Sequence, residues 1–226
     1  MTDAHCHVAR GGMRSFVCLS PCAEPPADSG DAFFYGVHPW ECLGGGEGLD
    51  AVLSRLRVRL ESDPRAGVGE IGLDRMKSRT IPDLMRRVFA EQLALAAEFG
   101  RPVVLHGAKC WGEVVKACVP YAGRIPAFLF HGFSRSEGLL PEISRINGFV
   151  SIGPALLNDH AVNYRGFAKR IPDGRLLVES DATADNAAET ASAAEVAAML
   201  ASLRGVPPDD FAALLDSNAS RFLGAR

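Results

Sequence analysis

Residues 82–107 read PDLMRRVFAEQLALAAEFGRPVVLHG, a helix pattern that runs into an apolar strand and stops on a histidine. Pro82 suits the first turn of a helix, where its missing N–H needs no partner and its φ is already set. Gly100 suits the C-terminal cap, where a left-handed residue turns the chain away. The run PVVLHG has no polar face, as expected of a strand covered on both sides in a parallel sheet. Helix followed by buried strand is half of a β/α unit, and the unit recurs along the chain.

Eight runs share the strand pattern: TDAHCH, MRSFVCLS, AFFYGVH, AGVGEIGLD, PVVLHG, AFLFHGF, GFVSIGP and RLLVESD. Helical periodicity fills most gaps between them. LDAVLSRLRVRLES (49–62) sets Leu49, Val52, Leu56 and Leu60 on one stripe. Further helices are predicted within 111–119, 137–146, 160–171, 189–205 and 207–224, the last with Asp209 and Asp210 at a favourable first turn. Eight strands alternating with helices predict a (β/α)8 TIM barrel. The first two connections, VARGG and PCAEPPADSGD, are too short or too rich in proline for a helix. The barrel is therefore expected to lack its first two outer helices, which fits 226 residues rather than the usual ~250. With no repeat, low-complexity tract or linker, residues 1–226 read as one domain.

A formal net charge of −3 leaves no global polycation, so any phosphate-binding site must be local. The six cysteines, Cys6, Cys18, Cys22, Cys42, Cys110 and Cys118, read as reduced residues rather than a disulfide framework. No basic segment precedes an apolar one at the N-terminus, and no apolar run is long enough to span a bilayer. A cytoplasmic location is expected.

The strand ends carry the chemistry. His5 and His7 end the first strand, His38 the third, His106 the fifth and His131 the sixth. Glu70 lies on the fourth and Asp181 closes the eighth, while His160 falls outside this pattern. In a TIM barrel this carboxyl-end rim is where catalytic residues converge. In DAHCH (3–7), strand alternation would put Asp3, His5 and His7 on one face, with Ala4 and Cys6 packing behind. His5, His7, Glu70 and Asp181 could hold one divalent ion, and Glu70, His106 and His131 a second, since a carboxylate can bridge two ions. Asp74 reads as a cap or a salt bridge near Arg75. No nucleophile-elbow serine motif, P-loop or dinucleotide fingerprint is present.

DAHCH, GVHPW, GEIGLD, FAEQLALAAEFGRPVVLHG, FHGF, VESDA and the terminal NASRFLG, in that order, resemble the TatD-type metal-dependent hydrolases of the amidohydrolase-like barrels. The resemblance runs over essentially the whole chain, although D-x-H-x-H alone is shared with other metallohydrolases. It implies two divalent metal ions, with His5 and His7 on one, His106 and His131 on the other, and Glu70 bridging. Asp181 would bind the first ion and act as general base, and His38 would contact the scissile phosphate. Members are described as magnesium-dependent deoxyribonucleases, including 3′-to-5′ exonucleases on single-stranded DNA, and some hold zinc. The resemblance thus points to Mg2+ or Mn2+, with Zn2+ as an alternative. The sequence departs from the family where an arginine usually follows the strand-five histidine by two residues. Here the row reads His106, Gly107, Ala108, Lys109. The usual ETDSP reads ESDAT, keeping Glu179 and Asp181.

Two substrate classes stay open: a phosphodiester of single-stranded DNA, or a small molecule with an amide, lactone or phosphomonoester bond. A metal-binding scaffold is the third reading. For a polynucleotide, Trp40, Trp111 and Phe133 are candidate stacking surfaces, and Arg75, Lys77, Arg79, Lys109 and Arg135 candidate phosphate contacts. The tryptophans could equally pack helices, and the cations could be ordinary surface charge. Oligomeric state stays open.

Overall fold

A computed structural model describes residues 1–26, 29–44, 48–77, 79–134 and 136–224. Eight parallel strands follow one another in chain order round one sheet. They are β1 (Thr2–Cys6), β2 (Arg14–Leu19), β3 (Ala32–Tyr35), β4 (Gly67–Asp74), β5 (Val103–Ala108), β6 (Phe128–Phe130), β7 (Gly148–Ile152) and β8 (Leu176–Val178). The sheet curls until β8 meets β1, where Asp181 N donates to His5 O at 3.1 Å and His7 N donates to Ala182 O at 2.7 Å. The expected TIM barrel is the fold observed.

Helices α1 (Leu49–Ser62), α2 (Asp83–Phe99), α3 (Trp111–Cys118), α4 (Leu140–Arg145) and α5 (Val162–Ala168) join β3 through β8. Helices α6 (Ala193–Arg204) and α7 (Pro208–Phe222) follow β8. Among the described residues no helix joins β1 to β2 or β2 to β3. A small cluster of Cys6, Val17 and Ala182, with Leu19 and Phe33 partly buried, lies on this thin flank. Gly100 caps α2 at φ 62°. The buried stripe of α1 is Leu49, Leu53, Leu56 and Leu60, so Leu53 replaces the expected Val52, which is only partly buried.

Side chains from β1, β2, β3, β5, β6, β7 and β8 meet in one cluster with Ala219 and Phe222 of α7. The ring of Phe222 lies 5.5–5.9 Å from those of Phe16, Phe34 and Phe149. On β4 a side chain at Gly67 would collide with the Phe34 ring, so glycine there makes room for the aromatic layer.

Three expectations need correction. The register of β1 against β2 shifts between Asp3 and Cys6, breaking simple alternation. Asp3 therefore does not join the histidines: its carboxylate accepts from Ser180 N at 2.9 Å and Ser180 Oγ at 2.6 Å. Trp111 and Phe133 are buried, packing against each other and against Phe130, so neither offers a stacking surface. Of the two readings of Asp74, the cap holds, its Oδ1 accepting from Met76 N, and the salt bridge does not, Arg75 pairing with Glu113 instead.

Candidate metal centre

Glu70 sits at the middle of the rim, buried, with five imidazoles around it. Its Oε2 lies 3.5 Å from His5 Nε2 and 3.2 Å from His7 Nε2. Its Oε1 lies 2.6 Å from His106 Nδ1, 2.7 Å from His131 Nε2 and 3.5 Å from His38 Nε2. Each carboxylate oxygen thus serves a different set of nitrogens. Asp181, just beyond β8 at φ 51°, brings Oδ1 to 3.5 Å from His5 Nε2.

Three overlapping groups each place their donor atoms within 4.8 Å: His5, Glu70 and His131; His5, His7 and Asp181; His38, Glu70 and His106. His5 Nε2 and His131 Nδ1 are buried without a hydrogen-bond partner. An orphaned imidazole nitrogen between two carboxylates is costly unless something binds it, and a divalent ion fits that donor set.

The electrostatics agree. Burial opposes charge on Glu70, yet His131, His5 and His106 hold its carboxyl well below the usual range. Burial likewise opposes charge on His5, but Cys18, Glu70 and Asp181 hold it well above an ordinary histidine. Burial and His5 oppose charge on His131, and Glu70 and Glu179 still push it up to about 9. These shifts all favour positive charge beside the buried carboxylate, the electrostatics a cation site needs.

His38 differs from the others. Its Nδ1 accepts from Trp40 N at 3.2 Å, which fits the tautomer with the proton on Nε2, on the side facing Glu70. In that tautomer its Nε2–H faces Glu70 Oε1 at 3.5 Å. Behind the histidines stand groups the sequence reading did not assign to them. Glu179 Oε1 lies 3.6 Å from His131 Nδ1, and its other oxygen accepts from Ser151 Oγ. Cys18 Sγ lies 3.5 Å from His5 Nδ1. The single signal for Glu179 was its place in VESD; Cys18 offered none beyond its strand.

The rim opens into a cleft of two lobes that meet at Gly132, Ser134 and Asp181. The smaller, about 890 Å³, includes Arg75, His106 and Lys109. The larger, about 1060 Å³, includes Asn158, His160, Asn163, Tyr164, Arg170 and Asn186. His160, which fell outside the strand pattern, therefore reaches the cleft. Trp40 remains 49% exposed beside His38, with Lys77 Nζ 4.6 Å over its ring. Arg135 lies outside the described residues.

A TIM barrel with histidines and carboxylates caged on its carboxyl-end rim defines the class: a barrel with candidate metal-binding groups beside an open cleft. Residues 28–224 match the family described as TatD related DNase, and the chain belongs to that family. It is 31% identical over 148 residues to the 3′-5′ ssDNA/RNA exonuclease TatD of Pectobacterium carotovorum subsp. carotovorum, covering 65% of this chain and 56% of that protein. It is 25% identical over 149 residues to YabD of Bacillus subtilis, named an uncharacterized metal-dependent hydrolase, covering 66% and 58%. The chain thus spans little more than half the length of these curated relatives. The TatD homolog YJJV from Escherichia coli K12 shares the fold with a TM-score of 0.79 at 22% identity, over 100% of this chain and 98% of that one. No described helix is long and apolar enough to cross a membrane.

Proposed function

We propose that the chain is a divalent-metal-dependent phosphodiesterase, a deoxyribonuclease acting on single-stranded DNA from the 3′ end. The observation that carries this reading is the division of Glu70, with Oε2 toward His5 and His7 and Oε1 toward His106 and His131. That division suits two ions bridged by one carboxylate, with Asp181 joining His5 and His7. Held there, divalent ions would polarise the phosphoryl oxygens and acidify an attacking water. Mg2+ or Mn2+ would serve this chemistry, and the imidazoles would also accept Zn2+.

The protein's own groups supply the rest. Asp181, its side chain 50% exposed, takes the proton of the attacking water. His38 Nε2–H donates to a phosphoryl oxygen. Lys109, held at φ 57° in the smaller lobe, has no carboxylate partner among the described residues and attracts the next phosphate. The TatD relatives named as exonucleases support the substrate class.

One observation favours the other reading, hydrolysis of an amide, lactone or phosphomonoester. Two of the cleft's arginines are already paired, Arg75 with Glu113 and Arg170 with Glu137, which weakens its hold on a polyanion. The deciding assay strips the protein of metal, restores Mg2+, Mn2+ or Zn2+ separately, and adds end-labelled single-stranded DNA. Metal-restored shortening from the 3′ end, absent in Asp181→Asn, is the expected outcome. No cleavage by a protein shown to bind metal would overturn the nuclease reading in favour of the second class.

A further inference from the structure

We infer that Asp74 is a positioning residue that fixes which nitrogen His106 turns toward Glu70 and, through the same carboxylate, anchors the exposed Trp40 at the lip of the cleft. The inference rests on the two-ion reading of the site. Asp74 ends β4 and is 1% exposed. Its Oδ2 lies 3.2 Å from His106 Nε2 and 2.6 Å from Trp40 Nε1. Its Oδ1 accepts from the backbone N–H of Met76 and, at 3.4 Å, of Lys77. Three separate segments, the ends of β4 and β5 and the loop after β3, are thereby tied to one side chain.

Trp40 Nε1 and the two backbone amides can only donate, and an ionised carboxylate can only accept. His106 completes the set by donating from Nε2. Neutral imidazole carries one proton, so the lone pair is left on Nδ1, the atom 2.6 Å from Glu70 Oε1. A group that ligates an ion must offer it a lone pair, and a proton held on Nε2 by Asp74 would leave that of Nδ1 free on the side of Glu70. Outer carboxylates that orient ligand histidines in this way are a recurring feature of metal sites.

The Trp40 contact adds a consequence. The indole edge faces inward to Asp74, while the ring stands 6.4 Å from the His106 ring and 4.9 Å from that of His38. The aromatic lip and a metal-facing histidine therefore share one anchor. An amide cannot replace that anchor, because asparagine would aim its NH2 either at His106 and Trp40 or at the two backbone donors.

Two measurements test this. The first is a long-range 15N–1H correlation spectrum of 15N-histidine-labelled protein loaded with zinc, which reads each ring's tautomer. The expected result is His106 protonated at Nε2; a proton on Nδ1 overturns the inference. The second is calorimetric titration of Mn2+ into metal-free wild type, Asp74→Asn and Trp40→Phe. Wild type should take up two ions, and Asp74→Asn should weaken one of them about 10–100-fold. Trp40→Phe, which keeps the ring but loses the N–H, should bind both as wild type does. If wild type binds two ions and Asp74→Asn matches it, the positioning role fails while the two-ion reading stands. If wild type binds none, both fall. Should Asp74→Asn not fold by circular dichroism, the wild-type spectrum decides alone.

Discussion

At the scale of single residues, function concentrates in side chains whose neighbours leave them little freedom. Asp181 is held in a left-handed conformation beside His5, partly exposed to the cleft. On the proposed function, replacing it by asparagine removes the negative charge that would face an ion and the proton acceptor together. Asp181→Asn should lower kcat by at least ~10²–10⁴-fold. Its circular dichroism spectrum should stay that of wild type, and a variant that turns over normally would sink the assigned role. On the proposed function, Lys109 would act by charge rather than by chemistry. Lys109→Ala should weaken DNA binding and reduce the salt dependence of log Kd by about 0.7, the contribution of one phosphate contact on a single strand. Fluorescence anisotropy between 50 and 200 mM salt reads this slope; an unchanged slope would place Lys109 away from the phosphates.

At the scale of elements, the strand–helix alternation and the rim positions were legible because each rests on a few consecutive residues. PVVLHG reads as a buried strand ending on a histidine whatever lies elsewhere, and VARGG is too short for a helix in any context. What failed to show depends on pairing across the chain. Asp3 meets Ser180, 177 positions away, only because β1 slips register against β2 and β8 closes onto β1. Asp74 reads locally as a cap, and the Met76 N–H confirms that much, but its contacts with His106 and Trp40 need three strands in place. Trp111 follows Lys109 closely in the sequence, yet its ring folds over Gly107, where any side chain would collide with it. Helix α7 makes the element-scale prediction. Phe222 is fully buried among Phe16, Phe34 and Phe149, in a layer separate from the histidines. Phe222→Ala should cost about 3–5 kcal/mol in urea denaturation, with the surviving fold still binding metal in the same stoichiometry. A loss of metal binding out of proportion to stability would mean that this layer shapes the rim directly.

At the scale of the whole molecule, the metal centre and the barrel's closure occupy the same seam. Asp181 N bonds His5 O and His7 N bonds Ala182 O, so the segments carrying ion-facing groups also join the first strand to the last. At this seam the histidines hold the Glu70 carboxyl well below its usual range, and His5 Nε2 and His131 Nδ1 have no hydrogen-bond partner. On the two-ion reading, ions that enter the cage would bind the folded state far better than an unfolded chain, whose candidate ligands are scattered from residue 5 to residue 181. Linkage then stabilises the fold by RT ln(1 + [L]/Kd), about 2.7 kcal/mol at a hundredfold excess over Kd. For a chain of this size that corresponds to a rise in Tm of about 5–10 °C. Scanning calorimetry should show this rise when Mn2+ is added to chelator-treated protein, growing with the logarithm of its concentration. Asp181→Asn should show a smaller rise, because the one negatively charged donor of the His5–His7–Asp181 group becomes a neutral amide. An unchanged Tm across millimolar Mn2+, with no ion retained on the protein, would mean the cage is filled by protons alone and the hydrolase reading fails with it.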